Sequence, residues 1–306
     1  MDRTVAAIDI GTNTVLLLVA APDPRGLITP VLDLHRVPRL GAGVDSRKFL
    51  HPDSIARAIA VLKEFREAAL AHNAGRIIAC ATSAVRDAGN RGDFIEEVRR
   101  TTGLSVEVLS GEEEAILSFH GALSGLTVDH PLLVLDIGGG STELTWGDAN
   151  GISFRASFDL GAVRLTERCF HHDPPLPEEI ARASDVIDDI LAHRTYGFPR
   201  NTQLIAVAGT PTTLTTLARG LKTFSAKAIE GYTMQRDALE ELWERLSRLP
   251  SAEIRALSEV CEGRADVMTA GTLILRRIMD RFGFRSMRVS DKGLRYGLIL
   301  RELKPD

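Results

Sequence analysis

Asp136-Ile137-Gly138-Gly139-Gly140-Ser141-Thr142-Glu143 sets two carboxylates, three glycines and two hydroxyls in one short stretch. Consecutive glycines let the backbone turn sharply and bring bare N–H groups against an anion, which side chains would block. Asp136 and Glu143 flank that turn, one on the way in and one on the way out. Carboxylates beside bound phosphate are hard-oxygen ligands for a divalent cation. The chemistry indicated is a phosphate loop with a metal next to it; the glycines alone would suit a tight hairpin with acidic flanks equally well.

An echo near the start, Asp9-Ile10-Gly11-Thr12-Asn13-Thr14, favours the phosphate loop. Aligned on the aspartates, Gly11 falls on Gly138 and Thr14 on Ser141. A strand-turn-strand unit carried twice predicts two copies of one domain, whose turns would hold one phosphate chain. Gly11, Thr12 and Asn13 thereby join Gly138, Gly139, Gly140 and Ser141 as candidate phosphate contacts. A third junction, Gly209-Thr210-Pro211-Thr212-Thr213, follows the apolar residues 203–208 and suits an anion at a helix N-terminus. Thr82-Ser83-Ala84-Val85-Arg86 follows the apolar residues 77–81, the position at which open α/β sheets bind ligands. Arg36 and Arg39 read equally as solvated charges or phosphate ligands. In Ser110-Gly111-Glu112-Glu113-Glu114, acids in a first helical turn offset the helix dipole, which accounts for Glu112 and Glu113 more easily than for a third in a row.

The elements that must position these residues follow from periodicity. Residues 4–21 read as two strands and 27–37 as a third, after a turn at 22–26. A helix follows over 53–75, a strand at 77–81, a helix at 94–100, a strand at 105–109 and a helix opened by the acidic run. The apolar run that leads into Asp136 suits a strand buried on both faces. Beyond it come strands at 152–158, 203–208 and 287–290, with helices between and after. The boundary is expected near 125–129, giving domains of 1–126 and 127–306. His171-His172-Asp173-Pro174 carries two histidines, but adjacent histidines in a proline-rich loop lack helical metal spacing.

With 306 residues, 44% of them hydrophobic, the chain is long enough to bury the cores of two domains. A net charge of -4 argues against general nucleic-acid binding. No segment approaches the roughly 20 apolar residues of a membrane span. Three scattered cysteines, Cys80, Cys169 and Cys261, fit a reducing, cytoplasmic setting better than a disulfide framework.

In order and spacing, the two aspartate-glycine turns, Gly111-Glu112-Glu113-Glu114-Ala115, Gly209-Thr210 with Thr213, and Val289-Ser290-Asp291-Lys292-Gly293-Leu294-Arg295 resemble the exopolyphosphatase and guanosine pentaphosphate phosphatase (Ppx/GppA) family in its short two-domain form. The resemblance implies an α/β fold of two ribonuclease-H-like domains, that of the actin, sugar-kinase and heat-shock-chaperone superfold, around an interdomain cleft. It implies Glu114 as the catalytic glutamate that orients or deprotonates the attacking water. Asp136 and Glu143 are implied beside Mg²⁺, with Mn²⁺ as a substitute, and Ser83, Arg86, Gly209, Thr210 and the two glycine turns on phosphate. The substrate implied is inorganic polyphosphate, in shorter chains, or guanosine pentaphosphate; a polyphosphate–nucleotide phosphotransferase and a non-catalytic alarmone-binding module are the other readings. A homodimer is a common family state. Val15, Leu16 and Leu17 stand where the family often has a basic residue, so that one phosphate contact is absent or supplied by Arg36 or Arg39. Ile116 and Tyr296 replace a common arginine and glutamate.

Overall fold

The computed structural model describes residues 4–22, 28–124, 126, 130–148, 150–194 and 196–303. It divides into two compact units, residues 1–127 with 292–306, and residues 128–291. The expected turn at residues 22–26 lies outside the described residues from 23 on, as does the expected boundary at 125–129 apart from Leu126.

The first unit is built on β1 (Val5–Ile10), β2 (Val15–Pro22), β3 (Ile28–Arg36), β4 (Arg76–Ala81) and β5 (Val106–Val108) in the order β3-β2-β1-β4-β5. The first three strands form an antiparallel meander, and β4 and β5 add in parallel to β1. The second unit repeats this with β6 (Leu132–Ile137), β7 (Thr142–Asp148), β8 (Gly151–Phe158), β9 (Gln203–Val207) and β11 (Ser286–Val289); β10 (Thr233–Gln235) is added antiparallel at the edge. The two ribonuclease-H-like units expected from the resemblance are therefore present, with matching strand order and sense.

Alternation along β1 explains why helices cover both faces of the first sheet. Ala6, Ile8 and Ile10 pack with Ala58, Leu62 and Phe65 of helix Pro52–Ala71. Val5 and Ala7 point the other way, into a cluster with Leu117 and with Leu294, Tyr296, Leu298 and Ile299. A strand buried on both sides must be apolar throughout, and this one is, save for Asp9 near its end.

That second cluster corrects the expected division of the chain. Chain order places residues 292–306 with the second domain, yet helix Leu294–Leu303 packs on helix Gly111–Ala122 and β1 of the first unit. A β-carbon at Gly297 would overlap the carbonyl of Leu117, so glycine here lets the two helices cross closely. Tyr296, the departure from the family's glutamate, is 2% exposed in the same cluster, with Lys292 Nζ 5.8 Å from its ring.

The histidine pair is also accounted for structurally. Glu179, on helix Pro177–Ala192, accepts from His171 N–H at 2.9 Å and Leu176 N–H at 3.0 Å, and contacts His172 Nδ1 at 3.0 Å. Burial pushes its carboxyl up, but His172 and these backbone donors outweigh it and hold the pKa down to about 2. Asp173 accepts from Ser251, capping helix Ser251–Leu257.

Candidate active site

Both glycine turns form in the same way. Gly11 N–H donates to Thr14 O at 3.0 Å, and Gly138 N–H to Ser141 O at 3.0 Å. The registers match as well: Asp9 lies opposite Leu16 across β1 and β2, and Asp136 opposite Glu143 across β6 and β7. The N–H groups of Gly11 and Gly138 are thus engaged in closing their own turns.

In the first unit the candidate residues gather at the carboxyl ends of the parallel strands β1, β4 and β5. Thr12 Oγ1 lies 2.9 Å from Ser83 Oγ, joining the first turn to the short helix Ser83–Arg86 that follows β4. From that helix Arg86 Nη1 donates to Leu109 O at 2.9 Å and to Glu114 Oε2 at 3.2 Å. Helix Gly111–Ala122 separates its three acids by role. Glu113 completes a capping box with Ser110, whose N–H and hydroxyl hold its carboxyl below the ordinary range. Glu112 is exposed, whereas Glu114 is 7% exposed and paired with Arg86. A carboxylate buried to that degree and held by a guanidinium is a candidate for chemistry; the dipole argument does not require it.

The two open arginines resolve differently. Arg36 is exposed, pairs with Glu64 at 2.5 Å and lies over Phe65, a surface ion pair. Arg39 takes the left-handed conformation, φ 55°, and its N–H donates to Asn13 O at 3.0 Å, so it is the arginine at the first turn. Cys80 lies opposite Asp9; burial first, then the Asp9 and Glu114 carboxylates, raise its thiol well above its ordinary value. A thiol so held is no nucleophile.

In the second unit Asp136 sits between Glu143 on β7 and Val207 on β9, which places it beside the third junction. Opposite residues of an antiparallel pair project to the same face, so the two carboxylates are neighbours. Asp136 is 9% and Glu143 1% exposed, and Glu143 Oε1 accepts from Ser157 Oγ at 2.7 Å. Among the described residues no group of three or more His, Cys, Asp or Glu could hold a metal. Two hard carboxylates fit Mg²⁺ in the way that ion is commonly held, by one or two side chains together with water and substrate phosphate.

The third junction is strained. Ala208 has φ 74° and ψ -168°, a region almost reserved for glycine, at the entry to helix Gly209–Ala218. Thr212 Oγ1 donates back to Ala208 O at 2.9 Å and helps hold it there. Ala208→Gly removes a strain of ~1–3 kcal/mol against an added unfolded-state entropy of ~0.5–1 kcal/mol. The melting temperature is therefore expected to rise; a thermal melt showing a fall would contradict the strain assignment.

Sequence reasoning missed two arginines. Arg264 packs against Gly209, its Nη1 donates to Thr213 Oγ1 at 3.4 Å, and its buried Nε has no hydrogen-bond partner among the described residues. Burial lowers its pKa, as for a cation lacking compensation. Nothing in its local sequence marked it, because fifty-odd residues separate it from the turn it serves. Arg164, 6% exposed, donates from Nε to Gly140 O at 2.6 Å. A signal for Arg164 was available: Leu40-Gly41-Ala42 and Leu160-Gly161-Ala162 repeat each other, each after the third strand of its unit.

The profile of the Ppx/GppA phosphatase family matches residues 18–305. Over 311 aligned residues the chain is 36% identical to Exopolyphosphatase 2 of Mycobacterium tuberculosis, with 97% of each covered. A crystal structure of an exopolyphosphatase-like protein superposes with a TM-score of 0.93 at 33% identity, covering 98% of each chain. The Aquifex aeolicus member of the Ppx/GppA family superposes with a TM-score of 0.83 at 30% identity, covering 99% of this chain and 98% of that one.

Proposed function

The chain belongs to the Ppx/GppA phosphatase family and is a phosphoanhydride hydrolase, and from that premise we propose that it removes the terminal phosphate of inorganic polyphosphate as orthophosphate. The observation that carries the proposal is Glu114, buried at the head of its helix and anchored through Oε2 by Arg86. Phosphoryl transfer asks of a protein mainly positioning and neutralisation of charge, plus one group on the nucleophile. Glu114 is the group on the nucleophile: it orients the attacking water and accepts its proton. In the first unit Arg86 and the N–H groups that follow Gly11 are suited to phosphate oxygens; in the second unit the N–H groups that follow Gly138 and the N-terminus of helix Gly209–Ala218 are. Arg264, beside that N-terminus, adds a desolvated positive charge.

Asp136 and Glu143 would hold Mg²⁺, with Mn²⁺ as a substitute; when bound, the ion neutralises charge on the substrate's oxygens. Glu143 is the more deeply buried of the two, and Ser157 holds one of its oxygens. Among the described residues no helix is long and apolar enough to cross a membrane, and all three cysteines are free thiols. The thiols are consistent with a cytoplasmic setting.

The test is orthophosphate release with Mg²⁺ from tripolyphosphate, long-chain polyphosphate and guanosine pentaphosphate, compared as kcat/KM. Polyphosphate is expected to exceed guanosine pentaphosphate, in line with the exopolyphosphatase name of the mycobacterial relative. A higher value for guanosine pentaphosphate would overturn the choice of substrate. Formation of nucleoside triphosphate from polyphosphate and a diphosphate would replace hydrolysis by phosphotransfer.

A further inference from the structure

We propose that Arg164 is a positioning residue that fixes the last peptide of the second glycine turn and so directs the Ser141 N–H to phosphate. The inference rests on the phosphohydrolase reading above. Three glycine carbonyls of the turn all accept from the segment after β8: Gly138 O from Ala162 N–H at 3.0 Å, Gly139 O from Val163 N–H at 2.8 Å and Arg164 N–H at 3.1 Å, and Gly140 O from Arg164 Nε at 2.6 Å. A β-carbon at Gly161 would overlap the backbone of Gly139, so glycine there permits the close docking. In a planar trans peptide the carbonyl of one residue and the N–H of the next point in opposite directions. With the three carbonyls turned toward residues 162–164, the N–H groups of Gly139, Gly140 and Ser141 are turned away from them, side by side. Three successive N–H groups turned to one side are available as donors to an anion.

The first unit builds the same device differently. Thr12 O accepts from Gly41 N–H at 2.8 Å and Asn13 O from Arg39 N–H at 3.0 Å, both donors lying after β3. Asn13 corresponds to Gly140, and the Leu-Gly-Ala repeat that sets Leu40 on Leu160 sets Val44 on Arg164. One carbonyl is thus held by backbone in the first unit and by a side chain in the second. A side chain can be exchanged without touching the main chain, which makes the role testable. The neighbouring acid, Asp159, lies 3.9 Å from Arg164 and is 76% exposed, so this ion pair is weak and the bond to Gly140 is the closer constraint.

The side chain of glutamine places its amide nitrogen on the same carbon, Cδ, that carries Nε in arginine; methionine keeps much of the packing without a donor. For tripolyphosphate, Arg164→Gln is expected to keep KM within about threefold of the unmodified protein, while Arg164→Met raises it about tenfold, the effect of losing one hydrogen bond to a charged group. In both, kcat stays within about threefold, because the turn binds phosphate before and during transfer alike. Arg164→Lys keeps the charge but carries its nitrogen one bond farther out; it is expected to resemble Arg164→Met and replaces it if that variant does not fold. Equal KM values for the glutamine variant and its donor-lacking or displaced counterpart would overturn the inference and leave the hydrolase reading standing. An unmodified protein that neither binds nor cleaves tripolyphosphate would overturn both.

Discussion

Glu114→Gln is expected to lower kcat for tripolyphosphate by about a thousandfold, within the range typical of a general base, while KM changes little. Glutamine fills the same volume and can still accept a hydrogen bond from Arg86 Nη1, now 3.2 Å from Oε2. What it loses is the capacity to take a proton from water. The phosphate contacts assigned to the turns do not involve this side chain, so binding is retained. A structural explanation predicts a different pattern: loss of a buried ion pair costs stability and disturbs KM together with kcat. A melting temperature near that of the unmodified protein, measured beside the kinetics, separates the two. A kcat within tenfold of the unmodified enzyme would sink the assignment, and the water would then have to be held by another group.

Arg86 gives the companion result. Its guanidinium holds both Glu114 and the Leu109 carbonyl, tying the end of β4 to the segment that leads into helix Gly111–Ala122. The hydroxyl pair Thr12–Ser83 ties the first turn to the same short helix. The first unit's part of the site is therefore one connected polar chain: turn, hydroxyls, arginine, carboxylate. Each member lies just past a strand end, where the sheet leaves backbone and side chains free to meet a ligand.

How far this was legible beforehand differs by residue, for physical reasons. Asp136, Glu143 and their echo Asp9, Leu16 were readable because strand-turn-strand units impose a local register. Two aligned sequences with equal turn lengths must pair the same positions, and they do. Glu114 was separable from Glu112 and Glu113 only by resemblance, since burial on a helix depends on what packs against it. Chain order puts the last helix with the wrong unit because it says nothing of which sheet face lacks a cover; only the fold shows that the face of β1 bearing Val5 and Ala7 takes it. Arg264 and Arg164 were missed for a related reason: each acts on a turn far from it in sequence, and an isolated arginine resembles any solvated charge. Ala208 gave no sign at all, because alanine is an ordinary residue in an unusual conformation.

Glu143→Gln is expected to abolish most Mg²⁺-dependent turnover and to weaken tripolyphosphate binding in the presence of Mg²⁺ but not in its absence. The carboxylate is 1% exposed, and a charge that deep is costly without compensation. Ser157 Oγ supplies one hydrogen bond to Oε1, at 2.7 Å, which fixes the orientation without cancelling the charge. In the first unit the same position is apolar, for there Leu16 stands opposite Asp9. A position that apolar packing would fill more easily thus carries a carboxyl group in one copy only. If the purpose were structural, glutamine, which accepts the Ser157 hydrogen bond equally well, would leave activity intact. If the purpose is to hold a cation between protein and phosphate, the neutral amide fails whatever its packing. Titrating Mg²⁺ and then Mn²⁺ against tripolyphosphate affinity, for the unmodified protein and for Glu143→Gln and Asp136→Asn, separates these outcomes. The metal-dependent increment in affinity should fall about tenfold or more in each variant, the scale of one lost charge-assisted contact. An undiminished increment in both would remove Asp136 and Glu143 from the metal site and leave them as structural carboxylates of the β6–β7 pair.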